Sequence, residues 1–378
     1  MSPAAPRVAV VGIHGYGGSH VFHLHELAQQ GRARLVGLVD PLPGAVTRDG
    51  ATLGADELPQ TFPSLPELLA HAEVDIVVIA TPIHTHAELA RIALAAGAHV
   101  LLEKPPVSSL AEFSALLQAQ SASGRAVQVG FQSLGSHALR ALRSSMDAGE
   151  LGTIEAIGAS GSWMRPLAYW HRARWAGRRS LDGRPVVDGA VANPFAHAVM
   201  SSLWLARRFR PESVGFIEAE LFQASGIEAD DTATVRIGGA GAGAIPITCA
   251  FTLAGPREDL PVITVRGSRA TARLHYTEDV LELGGETRRL GRADLLENLI
   301  EHIAGGAELL APFELTGSFM AVLEAVMRAP VRRIGEPYVR WAGEGENAHP
   351  VVSGIDGTVA AAAVDGRLFG ELGVAWAQ

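Results

Sequence analysis

The feature that most constrains the fold is a regular alternation of strand-like and helix-like segments over the first 130 residues. The runs RVAVVG (7–12), DIVVIAT (75–81) and HVLLE (99–103) are almost continuously apolar, as is typical of strands buried on both faces. Segments with the periodicity of amphipathic helices separate these runs. This order predicts a doubly wound parallel sheet of the Rossmann type at the N-terminus.

After about residue 150 the pattern changes to strand candidates that are joined by short turns. The candidates lie at 212–223, 231–237, 244–253, 262–266 and 271–277. Strands without intervening helices predict an antiparallel sheet. We therefore expect a C-terminal α+β domain with a large, mostly antiparallel open sheet. The predicted domains are residues 1–130, which bind a nucleotide cofactor, and residues 131–378, which supply substrate and oligomer contacts.

The composition excludes several classes of protein. The chain has a formal net charge of −9 and a single cysteine, Cys249. An acidic balance argues against nucleic-acid and anionic-membrane partners, because both require a basic surface. One cysteine excludes a disulfide framework and a cysteine-based zinc site. With no apolar run near the roughly 18 residues that span a bilayer and no signal segment, we expect a soluble cytoplasmic protein.

A glycine cluster, GIHGYGG at 12–18, follows the first strand and opens the first helix. In this position backbone N–H groups and the helix N-terminus can face a pyrophosphate. Asp40 ends the next strand, and a carboxylate there binds a ribose diol and repels a 2′-phosphate, which favours NAD over NADP. The turn supplies the cofactor-binding candidates Gly12, His14, Gly15, Tyr16 and Gly17. His14 replaces the second glycine of a strict G-x-G-x-x-G motif, so the turn must differ locally; the alternative is a purely structural turn.

Residues 75–106 resemble the signature of the Gfo/Idh/MocA oxidoreductase family, which includes glucose–fructose oxidoreductase and inositol dehydrogenase. The shared features are Thr81-Pro82 after one strand, His86 opening a helix, and Glu103-Lys104-Pro105 after the next strand. The resemblance covers the N-terminal domain and continues more loosely through the sheet-rich centre and residues 297–311. It implies further cofactor contacts from Thr81, Pro82, His86, Glu103 and Lys104.

The resemblance also implies an activity. Members of the family move a hydride between NAD(P) and a hydroxyl-bearing carbon of a sugar, sugar acid or cyclitol, so the expected partner is a small polar substrate. Homodimers or homotetramers are common among them. Two alternatives stay open: a redox-neutral NAD-dependent glycosidase or lyase, and a non-catalytic NAD- or sugar-binding sensor or co-repressor.

Lys104 is the only lysine among the 31 basic Lys and Arg residues. In the family, the lysine of the E-K-P motif reaches the nicotinamide and the reacting hydroxyl. The chemistry supports this role independently, because burial can lower the pKa of an ammonium group and let it exchange a proton, whereas a guanidinium stays charged. Lys104 is therefore the principal catalytic candidate.

A second catalytic pair is expected in the C-terminal domain, where many family members carry D-x-x-x-H. Here the sequence has Asn193 and His197, whose i, i+4 spacing places both side chains on one helix face. An amide can orient an imidazole but adds no negative charge. Asp188 could supply a carboxylate if the loop folds back. The alternative for His197 is a structural histidine.

The remaining histidine and aromatic clusters carry weaker hypotheses. His20, His23 and His25, and His84 with His86, have HxH spacings, which point helical side chains about 200° apart; we therefore predict no metal site. The stretch 163–179 combines tryptophan and arginine residues. It could cover the substrate or form a protein interface.

Overall fold

A computed structural model describes residues 4–378. By internal packing the chain divides into two compact units. The first comprises residues 4–130 and 294–313, and the second comprises residues 131–293 and 314–378. Chain order alone placed 294–313 in the second domain, because no local pattern shows that this segment packs with the first unit.

The elements of residues 4–130 alternate between strands and helices. They are β1 (Arg7–Val11), α1 (Tyr16–Gln29), β2 (Arg34–Val39), β3 (Val46–Arg48), β4 (Ala51–Leu53), β5 (Thr61–Phe62), α2 (Leu65–His71), β6 (Ile76–Ile79), α3 (His86–Ala95), β7 (His99–Leu102), α4 (Leu110–Ser123) and β8 (Val127–Val129). Within these residues six strands form a parallel sheet in the order β5-β2-β1-β6-β7-β8. The predicted Rossmann-type sheet is confirmed.

Burial explains the strand pattern of this sheet. Every residue of β6 and nearly every residue of β1 is inaccessible to solvent, as the continuous apolar runs require. Helices α1 and α3 are each followed by a glycine in the left-handed conformation, Gly31 with φ 69° and Gly97 with φ 82°, which ends the helix. Strand order reverses at β1, which lies between β2 and β6. In open α/β sheets, ligands bind beyond the carboxyl ends of the strands at such a reversal.

The rest of the chain contains mostly strands. The elements are α5 (His137–Asp147), β9 (Ile154–Met164), α6 (Leu167–His171), β10 (Ser180–Leu181), β11 (Arg184–Pro185), α7 (Ala196–Leu205), β12 (Val214–Gln223), β13 (Thr232–Gly239), β14 (Ile247–Thr252), β15 (Ala254–Gly267), β16 (Thr271–His275), β17 (Val280–Leu283), β18 (Glu286–Arg289), α8 (Leu295–Gly305), α9 (Gly317–Arg328), β19 (Val331–Arg333), β20 (Val339–Ala342), β21 (His349–Val352) and α10 (Ile355–Asp365). Among the described helices of the whole chain, none has both the length and the apolar character needed to cross a membrane.

Nine strands of the described second unit form one sheet, in the order β18-β17-β16-β15-β9-β14-β13-β12-β19. Its pairs are antiparallel except β9 with β14 and β12 with β19. This confirms the expected α+β architecture with a mostly antiparallel sheet. The central strand β9 has no counterpart among the predicted strands, because its sequence, IEAIGASGSWM, is rich in small residues.

Candidate active site

The strand register brings three candidate segments to one edge of the parallel sheet. Val11 of β1 pairs with Ile79 of β6, and Ile79 pairs with Leu102 of β7. The glycine turn, Thr81 and Lys104 follow these three strand ends within two residues. The carboxyl ends of β1, β6 and β7 therefore present the predicted cofactor and catalytic residues together.

The glycine turn depends on close backbone approach at two positions. Gly12 has φ 83°, and a Cβ there would lie 2.8 Å from the Ala80 carbonyl oxygen. A Cβ on Gly17 would collide with the Gly12 carbonyl oxygen, so α1 could not begin so close to the turn. Gly15 also has a positive φ, 60°, but no atom lies within 4 Å of its Cβ direction. The turn is therefore tight against β6 and open beside Gly15, where helix α1 starts.

Asp40 is buried behind the glycine turn, with which it forms hydrogen bonds. Its Oδ2 accepts from the Ile13 N–H at 3.1 Å, and its Oδ1 accepts from the Leu42 N–H at 2.9 Å. The His14 ring is hydrogen-bonded to the Leu42 carbonyl oxygen at 2.8 Å and lies 3.9 Å from the Asp40 carboxylate. Each carboxylate oxygen has a second lone pair with which to accept a ribose hydroxyl. The His14 side chain thus lies beside Asp40, where a glycine at this position would place no side chain.

Tyr16 is the first residue of α1, and 56% of its surface is exposed. Its ring packs edge-to-face against His20, with the ring centroids 5.4 Å apart. The N-cap of this helix is Gly15, which has no capping side chain, and the first turn carries no acidic residue. The start of α1 therefore suits an anionic ligand electrostatically and offers an aromatic side chain beside it.

Glu103 positions the lysine segment from a buried location. Its carboxylate lies 2.9 Å from the His20 Nε2 and accepts a bond from the Lys104 N–H at 3.2 Å. A Cβ on Gly130 would lie within 2.8 Å of all three carboxyl atoms of Glu103, so only glycine leaves room for this group. The Glu103 carboxylate therefore faces protein groups, with His20 as its side-chain partner, and a direct cofactor contact from Glu103 stays a prediction.

His86 joins the two loops that follow β6 and β7. Its Nε2 lies 2.8 Å from the Thr81 carbonyl oxygen, and its Nδ1 lies 3.1 Å from that of Pro105. Only 1% of the residue is exposed, and this burial lowers the pKa of the imidazole. Both ring nitrogens thus face protein carbonyl oxygens, and direct cofactor contact by His86 stays a prediction. We interpret it as a residue that positions Thr81-Pro82 against the Lys104 loop.

Lys104 is partly buried immediately after β7, and its backbone is fixed by the Glu103 contact. Thr81 is placed by a 2.6 Å hydrogen bond between its hydroxyl and that of Thr85. The Thr85 hydroxyl in turn donates to the Pro82 carbonyl oxygen at 2.8 Å. The sheet edge is thus rigid around the lysine, as a catalytic group requires.

In the second unit, the segment 188–197 contains the other predicted catalytic residues. The loop folds back so that the Asn193 amide donates to the Asp188 carboxylate at 2.9 Å. Asp188 is 3% exposed and also accepts a bond from the Gly177 N–H at 2.7 Å. His197 lies in the first turn of α7, and its ring packs edge-to-face on Phe131 with a centroid distance of 5.9 Å. Asp188 therefore supplies a carboxylate that is hydrogen-bonded to Asn193, the residue at the position where the family motif has an aspartate.

The stretch 163–179 packs around this segment. Its side chains form a ladder in which guanidinium groups alternate with aromatic rings. The ladder consists of Trp163, Arg165, Tyr169, Arg172 and Trp175, with guanidinium-to-ring distances of 3.7–5.2 Å. At one end Trp163 lies 4.6 Å from the Phe195 ring, and Arg172 approaches the Asp188 carboxylate to 3.7 Å. The faces of Trp163 and Tyr169 are thus covered by protein groups, so the ladder is better suited to support the 188–197 loop than to stack on a sugar.

Asp230 is a buried carboxyl that the sequence reasoning missed. Its Oδ2 accepts a bond from the Val191 N–H at 3.2 Å, and its side chain lies against the Cα of Gly189. Burial, with smaller effects of Asp231 and Asp188, raises the pKa of Asp230 to about 7. The only local signal was a pair of aspartates before a strand, which does not distinguish a buried carboxyl from a polar turn.

The clustered histidines do not form a common site in the described residues. His20 contacts Glu103, and His25 is bonded to Gln29 on the same helix at 2.9 Å. His84 and His86 are separated by the start of α3, with His86 buried. His23 instead faces two carboxylates from a distant part of the sequence, Asp294 and Glu297.

Comparison with known proteins agrees with the Rossmann-type fold of the first unit. Residues 6–131 match the family described as an oxidoreductase family with an NAD-binding Rossmann fold. The chain is 32% identical over 148 residues to inositol 2-dehydrogenase 3 of Saccharopolyspora erythraea, covering 39% of this chain and 42% of that protein. It is 31% identical over 146 residues to the NAD⁺-dependent scyllo-inositol 2-dehydrogenase of Bacillus subtilis, covering 39% and 41%. The matches therefore span about two fifths of these relatives' length.

The whole fold is similar to solved structures. The WlbA dehydrogenase of Bordetella pertussis, solved with NADH and UDP-GlcNAcA, has a TM-score of 0.67 at 22% identity, covering 85% of this chain and 95% of that one. The UDP-N-acetylglucosamine 3-dehydrogenase GnnA of Acidithiobacillus ferrooxidans has a TM-score of 0.65 at 22% identity, covering 86% and 97%. At this identity the likeness establishes the fold alone. Residues 6–131 thus match the Gfo/Idh/MocA oxidoreductase family through its NAD-binding Rossmann domain.

Proposed function

We propose that the protein is an NAD-dependent oxidoreductase that transfers a hydride between the nicotinamide and a hydroxyl-bearing carbon of a sugar, sugar acid or cyclitol. The observation that carries the proposal is that the glycine turn and the only lysine follow β1 and β7, the two strands that flank β6, at the carboxyl edge of one parallel sheet. The named dehydrogenases among the relatives, which act on inositols, support the substrate class.

The first unit has side chains suited to NAD. The turn at Gly12–Gly18 and the start of α1 suit the pyrophosphate, and Asp40 suits the adenosine ribose. The Asp40 carboxylate would also repel the 2′-phosphate of NADP, which makes NAD the preferred cofactor. When bound, NAD supplies the group that accepts or donates the hydride.

Lys104 is proposed to polarise the substrate hydroxyl. In the oxidation direction the hydroxyl oxygen gains negative charge as its proton leaves, and this charge forms the carbonyl bond as the hydride departs to NAD. A nearby ammonium stabilises the alkoxide-like oxygen before the hydride leaves. Glu103 and His86 act as positioning residues, because they fix the backbone on both sides of the lysine. A guanidinium at this place would keep a positive charge but could not exchange a proton at neutral pH.

His197 is proposed to take the hydroxyl proton and to return it in the reverse reaction. Asn193 would orient the imidazole, and Asp188 holds Asn193 by accepting its amide hydrogen at 2.9 Å. This arrangement replaces the direct carboxylate of the family motif by a carboxylate–amide pair. The negative charge that stabilises an imidazolium would then act through Asn193 from a buried carboxylate.

The decisive test compares Lys104→Arg and Lys104→Met with the wild type. NADH absorbance is followed with a panel of inositols, hexoses, uronic acids and UDP-sugars. We expect both substitutions to lower kcat by at least about 100-fold, because the compact ammonium that stabilises the alkoxide-like oxygen is lost and a planar guanidinium does not take its place. NAD affinity, measured by calorimetry, should change only a few-fold, because the turn and Asp40 are untouched.

Normal turnover by Lys104→Arg would contradict the role of the lysine. Tight NAD binding without turnover of any panel substrate by the wild type would contradict the enzymatic proposal and favour a sensor. Release of a leaving group without net NADH would instead indicate redox-neutral chemistry. Lys104→Met removes the positive charge whereas Lys104→Arg keeps it, so their comparison separates the contribution of the charge from that of the compact ammonium.

A further inference from the structure

A three-residue cluster lies outside the proposed active site, within the first unit. His23 projects from α1, and Asp294 and Glu297 belong to the first turn of α8. The His23 Nε2 lies 3.4 Å from the Asp294 Oδ1 and 3.5 Å from the Glu297 Oε1. One ligand atom from each of the three residues falls within 4.8 Å of the others.

The two separations fall between those of a close hydrogen-bonded ion pair and those of two ligands on one metal ion; without an ion, Asp294 raises the pKa of the His23 imidazole. Charge-assisted N–H···O bonds are about 2.7–2.9 Å long, whereas both separations here are longer. The Nε2 atom is buried, and no described residue stands in hydrogen-bonding geometry to it. Two ligands of one tetrahedral ion with bonds of about 2.0–2.1 Å are separated by about 3.3–3.4 Å. The imidazole nitrogen therefore stands at metal-ligand spacing from two carboxylates.

The surrounding groups fix both carboxylates. The Asp294 Oδ1 accepts bonds from the Leu296 and Glu297 N–H groups at 2.8 and 3.0 Å, as the cap of α8. Arg32 contacts the other oxygen of Glu297, Oε2, at 2.7 Å and leaves Oε1 toward His23. Carboxylates that bind metals are commonly held by such outer hydrogen bonds. The Arg32 charge and the helix N-terminus also disfavour a cation, so micromolar affinity is expected rather than nanomolar affinity.

We propose that His23, Asp294 and Glu297 bind a divalent transition-metal ion of the zinc class, with water in the remaining position. One imidazole and two carboxylates form a mixed nitrogen–oxygen ligand set that suits Zn²⁺ and Co²⁺. The ion would link α1 to α8 and so tie residues 294–313 to the rest of the first unit. This inference departs from the sequence expectation of no metal, which rested on histidine spacing and could not place the two distant carboxylates beside His23.

The test titrates the full-length, tag-free and chelator-treated protein with ZnCl₂ and CoCl₂. Calorimetry should show one micromolar site, and Co²⁺ should give the visible absorption bands of a low-symmetry four-coordinate ion. Zn²⁺ should raise the Tm, and EDTA should reverse the rise. His23→Ala should lower Zn²⁺ affinity at least about tenfold, since even outer-sphere losses cost that much.

Two further variants keep the test decisive. His25→Ala is the matched control, because His25 lies on the same helix but is bonded to Gln29, and it should retain wild-type affinity. Asp294→Asn keeps an oxygen to cap α8 and removes the anionic ligand, so it should lose affinity while remaining folded. Equal Zn²⁺ affinity in wild type and His23→Ala would overturn the site. The site would also be overturned if the wild type binds no Zn²⁺ and His23→Ala lowers the Tm, because the cluster would then be only an ion pair.

Discussion

At the scale of single residues, the candidate chemistry depends on partners that no local pattern specifies. Lys104 could be identified from its motif and from being the only lysine, whereas the pairing of Asp188 with Asn193 required the loop to fold back. Asp230 could not be found at all, because its burial arises from packing of a distant strand start against Gly189. Motifs thus indicated the residues that would touch ligands, but not the buried groups that position them.

The carboxylate–amide pair makes a prediction that a purely structural role would not. Asp188→Asn should lower kcat by about tenfold or more, because the negative charge behind Asn193 is lost. In the double variant Asp188→Asn with Asn193→Asp, the carboxylate moves to the position that the family motif uses. We expect this swap to restore a substantial part of kcat, measured by NADH absorbance at saturating substrate. A double variant no more active than Asp188→Asn would show that Asp188 only supports the loop.

At the scale of elements, the apolar runs predicted the parallel strands well, since strands buried on both faces need continuous apolar sequence. The same rule failed for β9, the central strand of the second sheet. Its glycines are there because neighbours come too close for side chains: a Cβ on Gly158 would collide with the Ala363 carbonyl of α10, and one on Gly161 with the Phe195 ring. Because these small residues serve tertiary packing, the hydrophobicity pattern of the sequence does not identify β9 as a strand.

Helix α10 packs on β9 only because position 158 lacks a side chain. Gly158→Ala should lower the free energy of unfolding by about 1–3 kcal/mol, because the strand and helix backbones must separate. Gly357→Ala on α10 is the matched control: no atom lies within 4 Å of its Cβ direction. That change should be neutral or stabilising by up to about 1 kcal/mol, since alanine favours a helix. Urea unfolding of both variants measures the contrast, and equal stability of the two would contradict this packing argument.

At the scale of the whole molecule, the first unit is completed by a segment from late in the chain. The Gln128 side chain of β8 is fully buried, and its hydrogen-bond partners lie in residues 294–313. Its amide donates to the Leu295 carbonyl oxygen and the Asn298 Oδ1, and its oxygen accepts from the Ala311 N–H. No local pattern shows where this segment packs, because a buried glutamine does not reveal which distant backbone groups satisfy it.

Gln128→Ala should therefore destabilise the first unit by about 2–4 kcal/mol, because three hydrogen bonds are lost and the Ala311 N–H is left without the Gln128 acceptor. All six tryptophans lie in the second unit, so their fluorescence reports on that unit, while far-UV circular dichroism reports on both. We expect the urea midpoint seen by circular dichroism to fall more than the midpoint seen by fluorescence. Gln118→Ala, at an exposed position of α4, should change neither. Equal shifts of both signals in Gln128→Ala would mean that the returning segment does not stabilise the first unit in particular.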